Sequence, residues 1–255
     1  MKAIFVISIN TFREIIRDRI LYGLLIFALF LIGISMILGQ LSFAEQVRIS
    51  MNFGLTAIHL GAVILSIFVG STLVNKEIDK KTIMTILVRP ISRVQFILGK
   101  AIGLSLLNMV MVITLSAVLA LILVGFGAHL RQAFFISLFG ILLEGLVLLG
   151  ITLFFSSFTS PMLVVSFSIG VFLIGHWQES LKFFAEKSQS SAFLIFQNTL
   201  KYCLPNLENL NWRTQAVYGD WVPGVNITYA SIYALGWFFL MVTLTTLIMR
   251  KKDFA

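Results

Sequence analysis

Glu144 is the only acidic residue inside a long apolar run of this chain. Held charged near the centre of a bilayer, a carboxylate costs roughly 2.5–3.5 kcal/mol on insertion scales quoted for Asp, so it must face other helices or a wet cavity, or carry a proton. Two roles fit it: lining or gating a conduit, or a protonated carboxyl hydrogen-bonded to a neighbouring helix. Gly140 and Ser137, four and seven residues earlier, give its face room for close helix contact. Asn108 is the second candidate for a conduit or gate, with helix-packing hydrogen bonds as its alternative role. His59, His129 and His176 map to the outer ends of apolar runs or to an outer loop. Together they could line a metal path, but no cysteine or carboxylate stands at ligand spacing beside them, which favours histidines at headgroup level.

Other chemistry is excluded by what is missing. The chain has no Gly-x-Ser-x-Gly, no His-Glu-x-x-His and no intramembrane aspartate pair, so an intramembrane enzyme lacks its residues. Gly99-Lys100 is followed by Ala101 and preceded by Val94 where a phosphate-cradling loop needs its first glycine. Any nucleotide energy must therefore come from another chain, and no cofactor or metal is expected on this one. The single cysteine, Cys203, permits no internal disulfide and reads as a small buried or interfacial residue.

The elements that position these residues follow from composition. With 58% hydrophobic residues, 12% charged residues and a mean hydropathy of +0.98, a chain of 255 residues cannot hide its apolar surface in one water-soluble core. An all-α integral membrane protein is expected. The net charge of +8 does not imply nucleic acid, because the basic residues gather at the ends of apolar runs. Spans are expected at about 20–41, 55–74, 101–125, 134–158, 162–177 and 227–249, six in all. The first is too long for a signal-peptide core and lacks a small-x-small cleavage site. Before it, Phe5, Ile9, Phe12 and Ile16 recur at helical spacing, with Asn10, Arg13, Glu14 and Arg17 largely opposite. Residues 4–19 therefore read as an amphipathic helix lying at the membrane surface, with an extension of the first span as the alternative.

Lysine and arginine set the orientation. With the N-terminus inside, thirteen of the nineteen lie in internal segments and only Arg48 and Arg131 in the two short external loops. Both termini and residues 75–100 are thus expected in the cytoplasm. The long connection 178–226 is expected outside, with helices at 178–187 and 190–204, the second ended by Pro205. Residues 204–224 read as turns lying across the outer ends of the spans. Trp177, Trp212, Trp221 and Trp237 fit an outer aromatic belt, Trp237 lying the deepest.

Residues 75–100 form the long charged segment between two apolar runs. Lys76, Glu77, Asp79, Lys80 and Lys81 open it, Ile78, Ile83, Ile86 and Leu87 form an apolar set, Pro90 breaks the helix and Ser92 can cap the next. Such a helix suits docking into a groove on a soluble partner; the plain alternative is a solvated loop that sets topology.

The run Glu77-x-x-x-x-Thr82-Ile83-x-x-Ile86-Leu87-x-x-Pro90-Ile91-Ser92-Arg93, ending in Leu98-Gly99-Lys100, resembles the cytoplasmic coupling segment of the ABC type 2 transporter permease family. The likeness extends over the amphipathic lead-in from Phe12 to Arg19, the six spans, Phe155 to Ser160 and Leu204-Pro205-Asn206-Leu207. It is greatest to the branch holding the nitrous oxide reductase maturation permease and the gliding-motility permeases. Lys81 departs from the pattern, which usually has glycine there. The resemblance implies a membrane subunit working as two copies with two ATP-hydrolysing subunits that use ATP and Mg. Lys76, Glu77, Asp79, Thr82, Ile83, Leu87, Pro90 and Arg93 would form its ATPase-coupling surface, and Ser156 to Pro161 a secondary contact. Export or mechanotransmission across a bacterial inner membrane is the function implied, with a periplasmic protein a candidate partner at 178–226. A non-transporting anchor or scaffold for such a partner is the alternative. Small-residue faces such as Gly99-x-x-x-Gly103 add physical support for pairing of two copies.

Overall fold

A computed structural model describes residues 2–17, 19–41, 45–72, 92–188 and 191–251. Among these residues every regular element is helical. They are α1 (Lys2–Ile16), α2 (Arg19–Gln40), α3 (Gln46–Ile64), α4 (Arg93–Gly125), α5 (Gln132–Ser156), α6 (Pro161–Ser188), α7 (Ser191–Cys203), α8 (Arg213–Tyr218) and α9 (Gly224–Lys251). A 3-10 turn, Glu208–Leu210, lies between α7 and α8. The protein is a multi-pass membrane protein, and six helices among the described residues are long and apolar enough to cross a bilayer: α2, α3 with its continuation to Thr72, α4, α5, α6 and α9.

α3 and α5 are the most buried of the six and form the centre of the bundle. α3 does not stop at Ile64; it passes into one π-helical stretch, Leu65–Val69, and resumes helix to Thr72. A π stretch widens the helix by one residue per turn and is common at functional sites. The segment 73–91 lies directly beyond it. Lys76, Glu77, Asp79, Thr82, Ile83, Leu87 and Pro90 therefore lie outside the described residues.

α4 begins with a complete capping box: the Gln95 N–H donates to Ser92 Oγ at 3.2 Å, and the Ser92 N–H donates to Gln95 Oε1 at 3.2 Å. Arg93 ties this start to the far end of the chain, donating from Nη1 to the carbonyls of Met249 (2.6 Å) and Arg250 (3.1 Å). Both carbonyls belong to the last turn of α9, where orphan acceptors are normal.

Gly99 and Gly103 have a use within the chain itself. A Cβ on Gly99 would stand 2.7 Å from Ile7, and one on Gly103 would stand 2.8 Å from the Ser8 carbonyl oxygen. The pair is a seat for α1, and Lys100 between them reaches Glu14 of α1 at 3.8 Å. The expected role in pairing two copies is corrected accordingly. α1 presents Ser8, Thr11 and Ile15 to the protein and leaves Phe5 67% exposed on the other side. The apolar spacing from Phe5 to Ile16 thus marks the side turned toward lipid as much as the packed side.

The stretch from Leu204 to Val222 is the main departure from expectation. It does not lie across the helix ends but enters the bundle, burying Leu207, Leu210, Trp212, Ala216 and Val222. Trp212 is consequently a core residue and not part of an aromatic belt, whereas Trp177 and Trp221 are exposed. Two glycines admit the segment. A Cβ on Gly140 of α5 would overlap the Leu210 carbonyl, and one on Gly175 of α6 would stand 2.8 Å from Leu207 and 3.0 Å from the Pro205 carbonyl oxygen. Gly140 therefore receives a 3-10 turn where a neighbouring helix was expected.

A candidate functional site in the buried polar ring

Each titratable member of the ring is delivered by a different element. His59 stands midway along the helical run Gln46–Thr72 and Glu144 midway along α5. His176 comes from α6, Glu208 from the 3-10 turn and Arg213 from the start of α8. Local sequence shapes the inserted segment. After Pro205 the backbone cannot continue α7; Asn206 Oδ1 accepts the Glu208 N–H at 3.1 Å, and the Asn206 N–H donates to Tyr233 Oη at 2.7 Å. The Leu207 N–H donates to the Gly175 carbonyl at 3.2 Å, and Gln178 Nε2 donates to the carbonyls of Leu204 (3.2 Å) and Pro205 (3.3 Å). Gly219, at φ +74°, ends α8 in the left-handed conformation that glycine tolerates.

The side chains close a ring. His59 Nε2 and His176 Nε2 both meet Glu144 Oε1, at 2.8 and 2.9 Å. His176 Nδ1 meets Glu208 Oε2 at 2.9 Å, and Asn211 Nδ2 donates to Glu208 Oε1 at 2.9 Å. Arg213 Nε donates to Asn211 Oδ1 at 2.8 Å, and Arg213 Nη1 lies 3.0 Å from His59 Nδ1, which completes the circuit. Phe172 leans on both imidazoles, its ring centre 5.9 Å from His59 and 4.9 Å from His176.

Proton positions follow from the donors. A guanidinium can only donate, so His59 Nδ1 accepts and the His59 proton sits on Nε2, aimed at Glu144. His176 faces a carboxylate oxygen from each nitrogen, so both nitrogens carry protons and the ring is an imidazolium. The formal charges then cancel: Glu144 and Glu208 against His176 and Arg213. Neutrality matters here, because Glu144 is 2% and His59 3% exposed and an uncompensated charge at that depth is costly. Outside the spans, the hydrogen bond from His176 holds the Glu208 carboxyl below its ordinary range, with burial working against it. Burial pulls the Arg213 guanidinium below its ordinary value, while Glu144 and Glu208 oppose the change.

Ligand atoms of His59, Glu144 and His176 all lie within 4.8 Å of one another, and their types suit zinc or a similar ion. Arg213 argues against that use, since its N–H toward His59 Nδ1 keeps the proton on Nε2, the atom a metal would need. The arrangement fits a charge-balanced clasp that fastens the inserted segment to α3, α5 and α6. Beside it opens a cavity of about 630 Å³ lined by Glu208, Asn211, Trp212, Tyr229 and Tyr233, among others.

Of the candidate residues named from sequence, Glu144 joins the ring. Asn108 does not; it lies in an adjoining layer, where its Nδ2 donates to Ser66 Oγ at 3.3 Å and Ser66 Oγ donates to the Gly145 carbonyl at 3.1 Å. Ser66 belongs to the π stretch of α3, so this layer stands between the ring and the segment after Thr72. The headgroup-level placement of His59 and His176 is corrected: both lie in the bundle, and only His129 is exposed. Glu208 and Arg213 are absent from the candidates read from sequence, where 204–224 reads as turns lying across the outer ends of the spans. The signal that could have found them is the inventory of unmatched charge, one buried carboxylate with two histidines needing counter-charges.

A family model described as ABC-2 family transporter protein matches residues 5–254. A search of curated proteins finds no match. With six apolar helices and a match that spans nearly its whole length, the chain belongs to the ABC-2 family of transporter proteins.

Proposed function

We propose that this chain, a membrane permease component of an ABC transporter by family, couples ATP hydrolysis in a separate subunit to export or mechanotransmission. Membrane subunits of this family are generally non-catalytic and leave ATP and Mg to an ABC ATPase, which is the partner implied here. On this reading two copies pair, the termini and the segment holding Lys76, Glu77, Asp79, Thr82, Ile83, Leu87, Pro90 and Arg93 face the cytoplasm of a bacterial inner membrane, and the 178–226 region faces outward. The observation that carries the reading is the continuity of α3. One helical element bears His59 of the ring, then the π stretch with Ser66, and ends at Thr72, next in sequence to the proposed coupling segment. A push on that segment thus reaches the clasp through a single helix with a built-in point of yield.

Replacing Glu77 by Lys reverses one charge on the coupling segment without touching any span. Membrane insertion and yield should be unchanged while ATP-dependent transport is lost. Full ATP-dependent transport in Glu77→Lys would count against the assignment. Recovering the chain from native membranes with no ATPase attached would count against it equally.

A further inference from the structure

We infer that the cavity beside the clasp is a binding site for an uncharged, hydroxyl-rich ligand of the sugar class. It opens between the 3-10 turn, α8 and the start of α9, and its volume of about 630 Å³ lies within the range of small-molecule sites. α9 builds one wall by helical spacing: Asn226, Tyr229, Ala230 and Tyr233 share a face, with the small, buried Ala230 recessed among the larger side chains. The inserted segment adds Trp212, which is 7% exposed. Three aromatic side chains therefore line the cavity, and the negative charge density of their faces suits the weakly positive C–H groups of a pyranose.

Polar groups of the lining have unused capacity. Tyr233 Oη accepts the Asn206 N–H at 2.7 Å, which leaves its own O–H to donate. Gln215 Oε1 is buried with no hydrogen-bond partner among the described residues, a costly state that a ligand hydroxyl would relieve. Charge narrows the class further. No Lys, Arg or His is among the described residues that line the cavity, so a phosphate or carboxylate would enter without a counter-charge. Glu208 is the one charged group of the lining, and its oxygens are already engaged by His176 and Asn211 within the neutral ring. A quaternary ammonium would suit the aromatic rings but leave Gln215 Oε1 and the Tyr233 O–H unpaired. What fits all three observations is a neutral molecule with hydroxyls on its edges and apolar C–H faces: the pyranose of a free oligosaccharide or of a glycolipid headgroup.

The test places the full-length chain in nanodiscs of phosphatidylglycerol and phosphatidylethanolamine, open on both faces and without ATP or ATPase. Trp212 reports occupancy once Trp177→Phe, Trp221→Phe and Trp237→Phe leave it as the one indole. Maltotriose, cellotriose and chitotriose are titrated in one arm, and in the other a diglucosyl diacylglycerol is mixed into the lipid. At least one of these neutral sugars should change the Trp212 emission saturably, the free ones below about 10 mM. A response to free sugar marks a soluble ligand, and a response to the glycolipid alone marks a headgroup. Tyr229→Ala should weaken binding about two- to tenfold, and Gln215→Leu by a similar factor. Gln215→Leu should not lower the unfolding temperature, since it removes an unpaired acceptor. Tyr202→Ala, as exposed as Tyr229 but outside the cavity, should leave binding unchanged. No saturable response in either arm overturns the proposal, as does binding that both Tyr229→Ala and Gln215→Leu leave intact. Trigalacturonate or choline binding more tightly than every neutral sugar assigns the cavity to a charged ligand and overturns it too. Should the chain with three phenylalanines fail to assemble, thermal stabilisation of the unaltered chain by the same sugars and glycolipid decides in its place. A null result here leaves ATP coupling untouched, and a missing ATPase leaves sugar binding to be read in the same discs.

Discussion

Replacing Arg213 by Met keeps most of the side-chain length and removes the charge, leaving Glu144 and Glu208 against His176 alone. Breaking a fully buried pair costs about 3–5 kcal/mol. Glu208 is a third exposed, so water screens part of the excess and about 2–3 kcal/mol is expected for this ring. At roughly 2–4 °C per kcal/mol for a chain of this size, purified protein in nanodiscs should unfold about 4–12 °C earlier. Glu208→Gln errs in the other direction, leaving Arg213 and His176 against Glu144. The combined Arg213→Met, Glu208→Gln chain is neutral again. Its loss of stability should fall short of the sum of the single losses by more than about 0.5 and up to about 3 kcal/mol, the range found for members of one network. Strict additivity, within about 0.5 kcal/mol, would refute the charge-balance reasoning and reduce the ring to separate contacts.

Further outcomes follow from other contacts. Glu208 titrates below its ordinary range, so its contribution is present above the ordinary carboxylate value near 4.5 and is lost as pH falls through the lower folded value. Stability measured between about pH 6 and 3 should therefore hold down to about pH 4.5 and fall progressively below it, and Glu208→Gln should flatten the drop. Gly103→Leu drives a side chain into Ser8 and Thr11 of α1, already 2.8 Å from a bare Cβ, an overpacking worth about 1–3 kcal/mol. At roughly 2–4 °C per kcal/mol, that variant in nanodiscs should unfold about 2–12 °C earlier than the native chain. Gly175→Val should expel Leu207 and expose the buried Trp212, seen as a red shift of its fluorescence when Trp177, Trp221 and Trp237 are changed to Phe.

Much of this fold is legible in the sequence because a bilayer imposes a local rule: long apolar runs must be helices that span. The cap at Ser92 and the isolation of Glu144 are local in the same sense, each read from a few adjacent residues. The ring is not. His59 and Glu144 are 85 residues apart, and Arg213 and His59 are 154 apart, so no spacing announces them. His59 looked terminal because the apolar run starts near Leu55, whereas the helix starts at Gln46, nine residues earlier. Asn206, Asn209, Asn211 and Gly219 carry the composition of a solvated loop, yet Leu207, Leu210 and Trp212 between them are the residues that sink the segment into the bundle.

The central claim is that movement at the Thr72 end of the helical run, the end proposed to face the cytoplasm, is passed to the clasp that holds His59 at its middle. It is tested most directly by assembling the full chain with its ATPase and following maleimide labelling of a thiol at the buried Ala216 (Ala216→Cys in a Cys203→Ser background) at fixed pH, with ADP and then with a non-hydrolysable ATP analogue. The account predicts a labelling rate that changes severalfold between the two nucleotides and no longer does so in Glu77→Lys. Equal rates with both nucleotides, in a complex that binds them, would contradict it.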